Sequence, residues 1–391
     1  MEDDKFKKIV ESCHLNFLIG SGASRNYFET LGNVENILTE LSAEPASNEK
    51  TIVEVSIKSD YFQKAILGNR GLIDSAFATD PTELANTKQN YIDFLIAINI
   101  ILLRRKSSII GKQVNLFTTN MDIFLDTTLE QLNIEYNDGF SGKLNPTFST
   151  SNYRKSIFQK SPHYENKAEL PLFNLYKLHG SVTWKTDAND IVFDASLSTL
   201  SKINKVRLSG KLLSSLKDAT GKDKKLTELF ADAKSLHIDS EFEKFIAAYR
   251  QLVMINPTKD KFETTTIQYT YYELLRIYSN ELEKENSILF VFGFSFADEH
   301  IREITKRVAN SNPTLLICIF AYSDSSKLDI EGKLQMNDFK FQNVEVITSG
   351  DFATLNKSWF IKLAHELDKE SFEKRKGDIV VNVTLPPAVV A

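Results

Sequence analysis

Seven short apolar runs punctuate the chain, at 15–19, 114–118, 172–178, 252–255, 288–292, 315–321 and 344–347. They lack the strict apolar–polar alternation of a half-exposed strand, so they read as strands buried on both faces, the state typical of a parallel sheet. Stretches of helical period lie between many of them. The clearest is 266–284, where Ile267, Tyr271, Leu274, Leu275, Tyr278 and Leu282 recur on one face. Strands alternating with helices predict an α/β chain with a Rossmann-like parallel sheet and helices on both faces.

Two stretches exceed what such a sheet needs. Residues 26–107 are mostly helical in pattern and end in Arg104, Arg105 and Lys106, cations suited to a helix C-terminus. Residues 196–250 are also helical in pattern and carry Lys202, Lys205, Lys211, Lys217, Lys222, Lys224 and Lys225, interleaved with Asp218 and Asp223. Mixed charge of this kind reads as a solvated face rather than a nucleic-acid surface. Both stretches are expected as insertions over the C-terminal edge of the sheet, where open α/β folds bind ligands. One domain is expected over 1–370, its last helix at 351–370, followed by a tail at 371–391. Within the tail, 377–385 is strand-like and precedes Pro386 and Pro387. Either it adds to a sheet or a partner, or it is a loose end.

Composition narrows the class. Of 391 residues 42% are hydrophobic, enough for a sizeable core, and 27 are phenylalanine. A formal net charge of −5 gives no global drive toward nucleic acid. The two cysteines, Cys13 and Cys318, are expected to be reduced and buried, as in a cytoplasm, and cannot build a four-cysteine zinc site. The charged N-terminus has no apolar signal region behind it. The longest apolar run, 92–103, is interrupted by Asp93 and Asn99 and falls short of the ~20 residues that span a bilayer. A soluble cytoplasmic protein is the expectation.

Candidate chemistry sits where strands end. Gly20, Ser21, Gly22, Ala23 and Ser24 follow the run at 15–19. A glycine-rich turn after a buried strand can meet a pyrophosphate with backbone N–H groups, or it can be a plain tight turn. Thr119, Asn120, Met121 and Asp122 close the run at 114–118. Asp122 also suits the N-cap of a following helix, whereas Asn120 would be a costly buried amide without a partner. His179 and Gly180 follow the run at 172–178, placing an imidazole at the ligand edge for acid–base work, against the alternative of a structural histidine. Gly293, Phe294 and Ser295 follow the run at 288–292, offering donors to phosphate or ribose or forming an ordinary turn. Asp298 is expected to cap a helix from Glu299, with His300 in its first turn.

The order of these islands — a glycine-rich turn, T-T-N-x-D, H-G, then G-x-S — resembles the sirtuin family. The G-F-S-F-A-D-E-H run and Ile255-Asn256-Pro257-Thr258-Lys259 resemble its bacterial defence branch, the HerA-associated type. The resemblance implies NAD as substrate. Gly20 to Ser24 would hold the pyrophosphate, with Thr119 and Gly180 beside them, Gly293 and Ser295 would line the adenosine side, and Asn120, Asp122 and His179 would be catalytic. The chain departs from the deacylases in reading Arg25-Asn26-Tyr27-Phe28-Glu29-Thr30 after the first turn, and in having no cysteine at 196–250, where they carry a zinc ribbon. The expectation is therefore an NAD hydrolase without zinc, not a lysine deacylase. The resemblance further implies a homo-oligomer, a HerA-type ATPase partner through which any nucleic acid would be met indirectly, and defence against phage by NAD depletion. Two other readings stand beside it: a subunit that senses NAD or ADP-ribose without turnover, and a nuclease component of an ATPase complex.

Overall fold

A computed structural model describes residues 3–30, 34–105, 109–188, 190–254 and 265–369. Among them, seven strands form one parallel sheet: β1 (His14–Ile19), β2 (Gln113–Thr118), β3 (Tyr136–Asn137), β4 (Leu172–Lys177), β5 (Ser287–Phe292), β6 (Leu316–Ala321) and β7 (Val344–Thr348). Their spatial order is β7-β6-β5-β1-β2-β4-β3. The chain runs from β1 to β2 on one side and later returns to place β5 on the other. The crevice between the ends of β1 and β5 is thus the point where strand order reverses, the usual ligand position in such sheets.

Both faces are covered, as continuous apolar strands require. On one face α1 (Asp3–Ser12) and α2 (Pro81–Arg104) pack against Phe17, Leu116 and Phe290. On the other, α4 (Thr265–Glu283), α5 (Glu299–Ser311) and α6 (Asp324–Leu334) cover Leu18, Phe117 and Val291. The helix read at 266–284 is α4, and Tyr271, Leu274, Leu275, Tyr278 and Leu282 are all buried. The helix read at 351–370 is found over 352–369 and includes a π-helical stretch, Asn356–Ile361.

A row of asparagines crosses the sheet. Asn16, Asn115 and Asn174 stand opposite one another on β1, β2 and β4. Asn115 Nδ2 donates to Asn16 Oδ1 at 2.8 Å, and Asn174 Nδ2 to Asn115 Oδ1 at 3.1 Å. A one-residue slip would strand these amides in the core at about 1–3 kcal/mol each. The row therefore pins the register that aligns the strand ends.

The two insertions are helical. Residues 26–107 include Val34–Ser42, Asn48–Tyr61, Asn69–Ile73 and α2, with the π-helical stretch Phe62–Ile66 between the second and third. Residues 196–250 hold Ser198–Asn204, Leu226–Ala233 and Ser240–Tyr249, with 205–225 mostly irregular. They pack on one another, as where Ser56 Oγ accepts from Leu213 N–H at 3.1 Å. Arg105 is the C-cap residue of α2, its N–H donating to Leu102 O at 3.3 Å, while its guanidinium donates to the carbonyls of Val10, Cys13 and Gly111, tying the end of α2 to the start of β1.

One strand expectation fails. The run at 252–255 does not enter the sheet: Met254 makes a single antiparallel bridge to Gly180, and Ile255 lies outside the described residues. Leu252, Val253 and Met254 are buried by packing, not as a strand of the sheet. The seventh place is taken by β3, only two residues long. The tail at 371–391 lies outside the described residues, and Cys13 and Cys318 are both free thiols. No helix among the described residues is long and apolar enough to cross a membrane.

Candidate active site

The loops after β1 and β5 are joined at the switch point. Gly20 N–H donates to Phe292 O at 3.0 Å, and Gly22 N–H to Gly293 O at 2.9 Å. A Cβ on Gly293, whose φ is +64°, would stand 2.5 Å from Ala23 N and 2.8 Å from Gly20 O. Only glycine allows this backbone-on-backbone approach. Of the turn's donors, the Gly20, Gly22 and Ala23 N–H groups are taken up within the fold, while Ser21 and Gly22 are exposed. The Ser24 side chain turns inward and is 1% exposed. Ser295 is exposed, its carbonyl accepting from Lys333 Nζ at 3.2 Å.

The loop after β2 locks onto the first turn. Thr119 N–H donates to Ile19 O at 3.2 Å, and Asn120 Nδ2 to Gly20 O at 3.1 Å. Asn120 is buried, and its Oδ1 has no hydrogen-bond partner among the described residues. An unpaired buried carbonyl oxygen costs about 1–3 kcal/mol, a penalty relieved when a ligand hydroxyl donates to it. Asp122 lies deeper. Its Oδ2 accepts from Ser24 Oγ at 2.8 Å and its Oδ1 from Phe124 N–H at 3.2 Å, at the start of α3 (Phe124–Gln131). Burial raises its carboxyl above the usual range. Ser24 Oγ also meets Tyr91 OH at 2.8 Å. Asp122 is thus a buried brace between the glycine turn and α3.

The loop after β4 runs beside that of β2. Leu178 N–H donates to Thr118 O at 2.8 Å and Val182 N–H to Met121 O at 3.1 Å, so 119–121 and 179–181 lie side by side. Gly180, at φ +79°, lets the Val253–Met254 backbone close in: a Cβ would stand 2.3 Å from Val253 O. His179 Nε2 lies 3.1 Å from Asp298 Oδ2 without forming a hydrogen bond, so it is a buried nitrogen with no hydrogen-bond partner among the described residues. A small, mainly apolar pocket beside His179 is walled by Leu178, Trp184, Met254 and Tyr271. Beneath the loops Lys177 is almost wholly buried. Its Nζ reaches the Asp122 carbonyl and lies 2.7 Å from Asp126 Oδ2. Among the described residues, no three His, Cys, Asp or Glu side chains are grouped so as to hold a metal.

The fold therefore brings the four sequence islands to one edge, with Asn120 and His179 on neighbouring loops. Sequence reading missed the contact of Asp298 with His179. Asp298 does cap α5, its Oδ1 accepting from Ile301 N–H at 3.1 Å, but a cap engages one carboxylate oxygen and leaves the other for a second partner. Lys177 was missed too, although a lysine inside a buried strand signals a buried partner. No family model matches the chain, and no curated protein matches it.

Proposed function

We propose that this chain cleaves the nicotinamide–ribose bond of NAD, as a sirtuin-like hydrolase. The observation that carries the reading is the meeting, at the topological switch point, of the glycine turn with an unpaired buried amide oxygen on Asn120 and an imidazole on the adjacent loop. Nicotinamide leaves with the bonding electron pair, which neutralises its ring, so its departure needs no proton donor. The ribose carbon then carries oxocarbenium character, as in other glycosidic cleavages. Asn120 Oδ1 accepts from a ribose hydroxyl and fixes the sugar. Water forms the new C–O bond and gives up a proton to His179. Asp122 acts through Ser24 and α3, holding the loop that carries Asn120. The diphosphate rests against the exposed Ser21 and Gly22. The products are nicotinamide and ADP-ribose.

The same reading places the chain in the cytoplasm as a homo-oligomer that works with a HerA-type ATPase and halts phage growth by depleting NAD. Support for that setting is the sequence resemblance alone.

The test is nicotinamide release by purified protein, alone and with its ATPase partner. Asn120→Ala and His179→Ala, each shown folded by circular dichroism, are expected to lower turnover by about 10²–10⁴-fold. Full activity in both variants would reject the site. Tight NAD binding by the unmodified chain with no release of nicotinamide, even with the partner, would favour a sensor.

A further inference from the structure

Lys177 closes β4 and pairs in register with Thr118, the last residue of β2. Two residues beyond these partners stand His179 on one loop and Asn120 on the other. By the two-residue period of a strand, the Lys177 side chain shares its face with Phe173 and Leu175, which lie in the core. An ammonium there, on a side chain only 3% exposed, is costly unless its charge is met. Two groups meet it, in different ways. Asp126, in the first turn of α3, supplies the countercharge: its Oδ2 lies 2.7 Å from Nζ without hydrogen-bond geometry. The directional bond runs from Nζ to the Asp122 carbonyl. A buried ion pair is a poor source of stability, since well-packed apolar residues in its place often do as well. What this one adds is a fixed point. The loop at 119–123 is also tied by Thr119 N–H to Ile19 O, by Val182 N–H to Met121 O, and by Ile123 N–H to Asn69 Oδ1 at 3.1 Å. No backbone N–H among the described residues donates to the Asp122 carbonyl, so its hold depends on residue 177. The Lys177 charge also opposes the rise that burial imposes on the Asp122 carboxyl, favouring the ionised form that accepts from Ser24 Oγ.

We propose that Lys177 is a positioning residue for NAD cleavage: its ammonium pins the Asp122 carbonyl to the end of β4 and so fixes Asn120 relative to His179. This rests on the hydrolase reading for its consequence, while the pin itself stands on geometry. In this role Lys177 touches no substrate and moves no proton. It acts through the loop at 119–123, where a displacement of ~1 Å lowers the rate by about 10²-fold.

The test separates holding the loop from neutralising a buried charge. Lys177→Met keeps an apolar stem of similar length but leaves Asp126 as an unmatched buried charge, and it is expected to lower the melting temperature. Lys177→Met/Asp126→Asn removes that charge as well and should melt near the parent. If Lys177 pins the loop, the double variant stays impaired. Its kcat for NAD falls by about 10²-fold, with KM little changed because the glycine turn is intact. Amide hydrogen exchange over 119–124, read by mass spectrometry, becomes faster by at least about 10-fold, the equivalent of one hydrogen bond to a charged group, with 287–292 unchanged. Recovery of kcat together with the melting temperature overturns the proposal, since Lys177 then only neutralises Asp126. An unchanged exchange rate over 119–124 overturns it whatever kcat does. A double variant that does not fold also overturns it, by making Lys177 a residue of the fold rather than of the loop. If the unmodified chain releases no nicotinamide with or without its partner, the hydrolase reading fails, and the exchange comparison still decides whether Lys177 pins the loop.

Discussion

Asp138 sits beside the loops without reaching the crevice, and its carboxyl shows what burial under this edge does. Burial pushes its pKa up to about 6, with Asp126 adding to the effect. Oδ1 accepts from Phe140 N–H at 3.0 Å. In the unfolded chain the group ionises near pH 4. Between pH ~4 and ~6 the native state therefore holds a proton that the unfolded state has lost, and stability falls as pH rises through that window. Asp138→Asn keeps the acceptor for Phe140 and removes the ionisation. The variant should be more stable than the parent by about 1–3 kcal/mol at pH 7.5 and equal to it near pH 4, measured by urea denaturation at both values. A gap independent of pH would contradict the assignment. Single side chains were the least legible feature in sequence. Asn120 could be placed at a strand end by pattern, but the missing partner of its Oδ1 depends on where Gly20 and Ser24 lie, some hundred residues earlier in the chain.

Elements were legible where burial is two-sided and failed where it is not. The β1, β2, β4, β5 and β6 runs are buried along nearly their whole length because helices cover both faces, whereas the edge strand β7 alternates, Val344 and Val346 buried and Glu345 exposed. β3 and the strands of the small antiparallel sheet, Phe140–Ser141, Thr147–Phe148, Trp184–Asp187 and Asp190–Phe193, run two to four residues. That is too short for a period to show. The run at 252–255 has the composition of a strand, but its described residues Leu252, Val253 and Met254 are buried by packing, a distinction that pattern cannot make. The glycine turns are also element-scale devices. Gly293→Ala drives a methyl group into the Ala23 and Gly20 backbone and is expected to destabilise the fold by at least about 1–3 kcal/mol. Gly210 has a similar φ of +75° but open space where a Cβ would stand. Gly210→Ala should therefore carry only the backbone strain and cost less. Equal losses for the two, by chemical denaturation, would show that the joined loops add nothing.

At the scale of the whole molecule, the strand order places β1 at the centre and sends β5 to its far side, which creates the crevice. The asparagine row aligns three of the strands that feed it. The two helical insertions pack together on the face that carries α1 and α2, and Met254, just beyond the second, closes onto the His179 loop. Sequence order alone suggested that four islands belong together, and the topology gives the physical reason: each ends a strand of one parallel sheet. The most direct measurement of the central claim is a crystal structure of the His179→Ala protein soaked with NAD, so that substrate is held uncleaved. The account predicts the diphosphate against residues 20–24, a ribose hydroxyl on Asn120 Oδ1, and the nicotinamide-bearing carbon facing position 179. Well-defined NAD bound elsewhere, or a crevice that stays empty at saturating NAD, would contradict it.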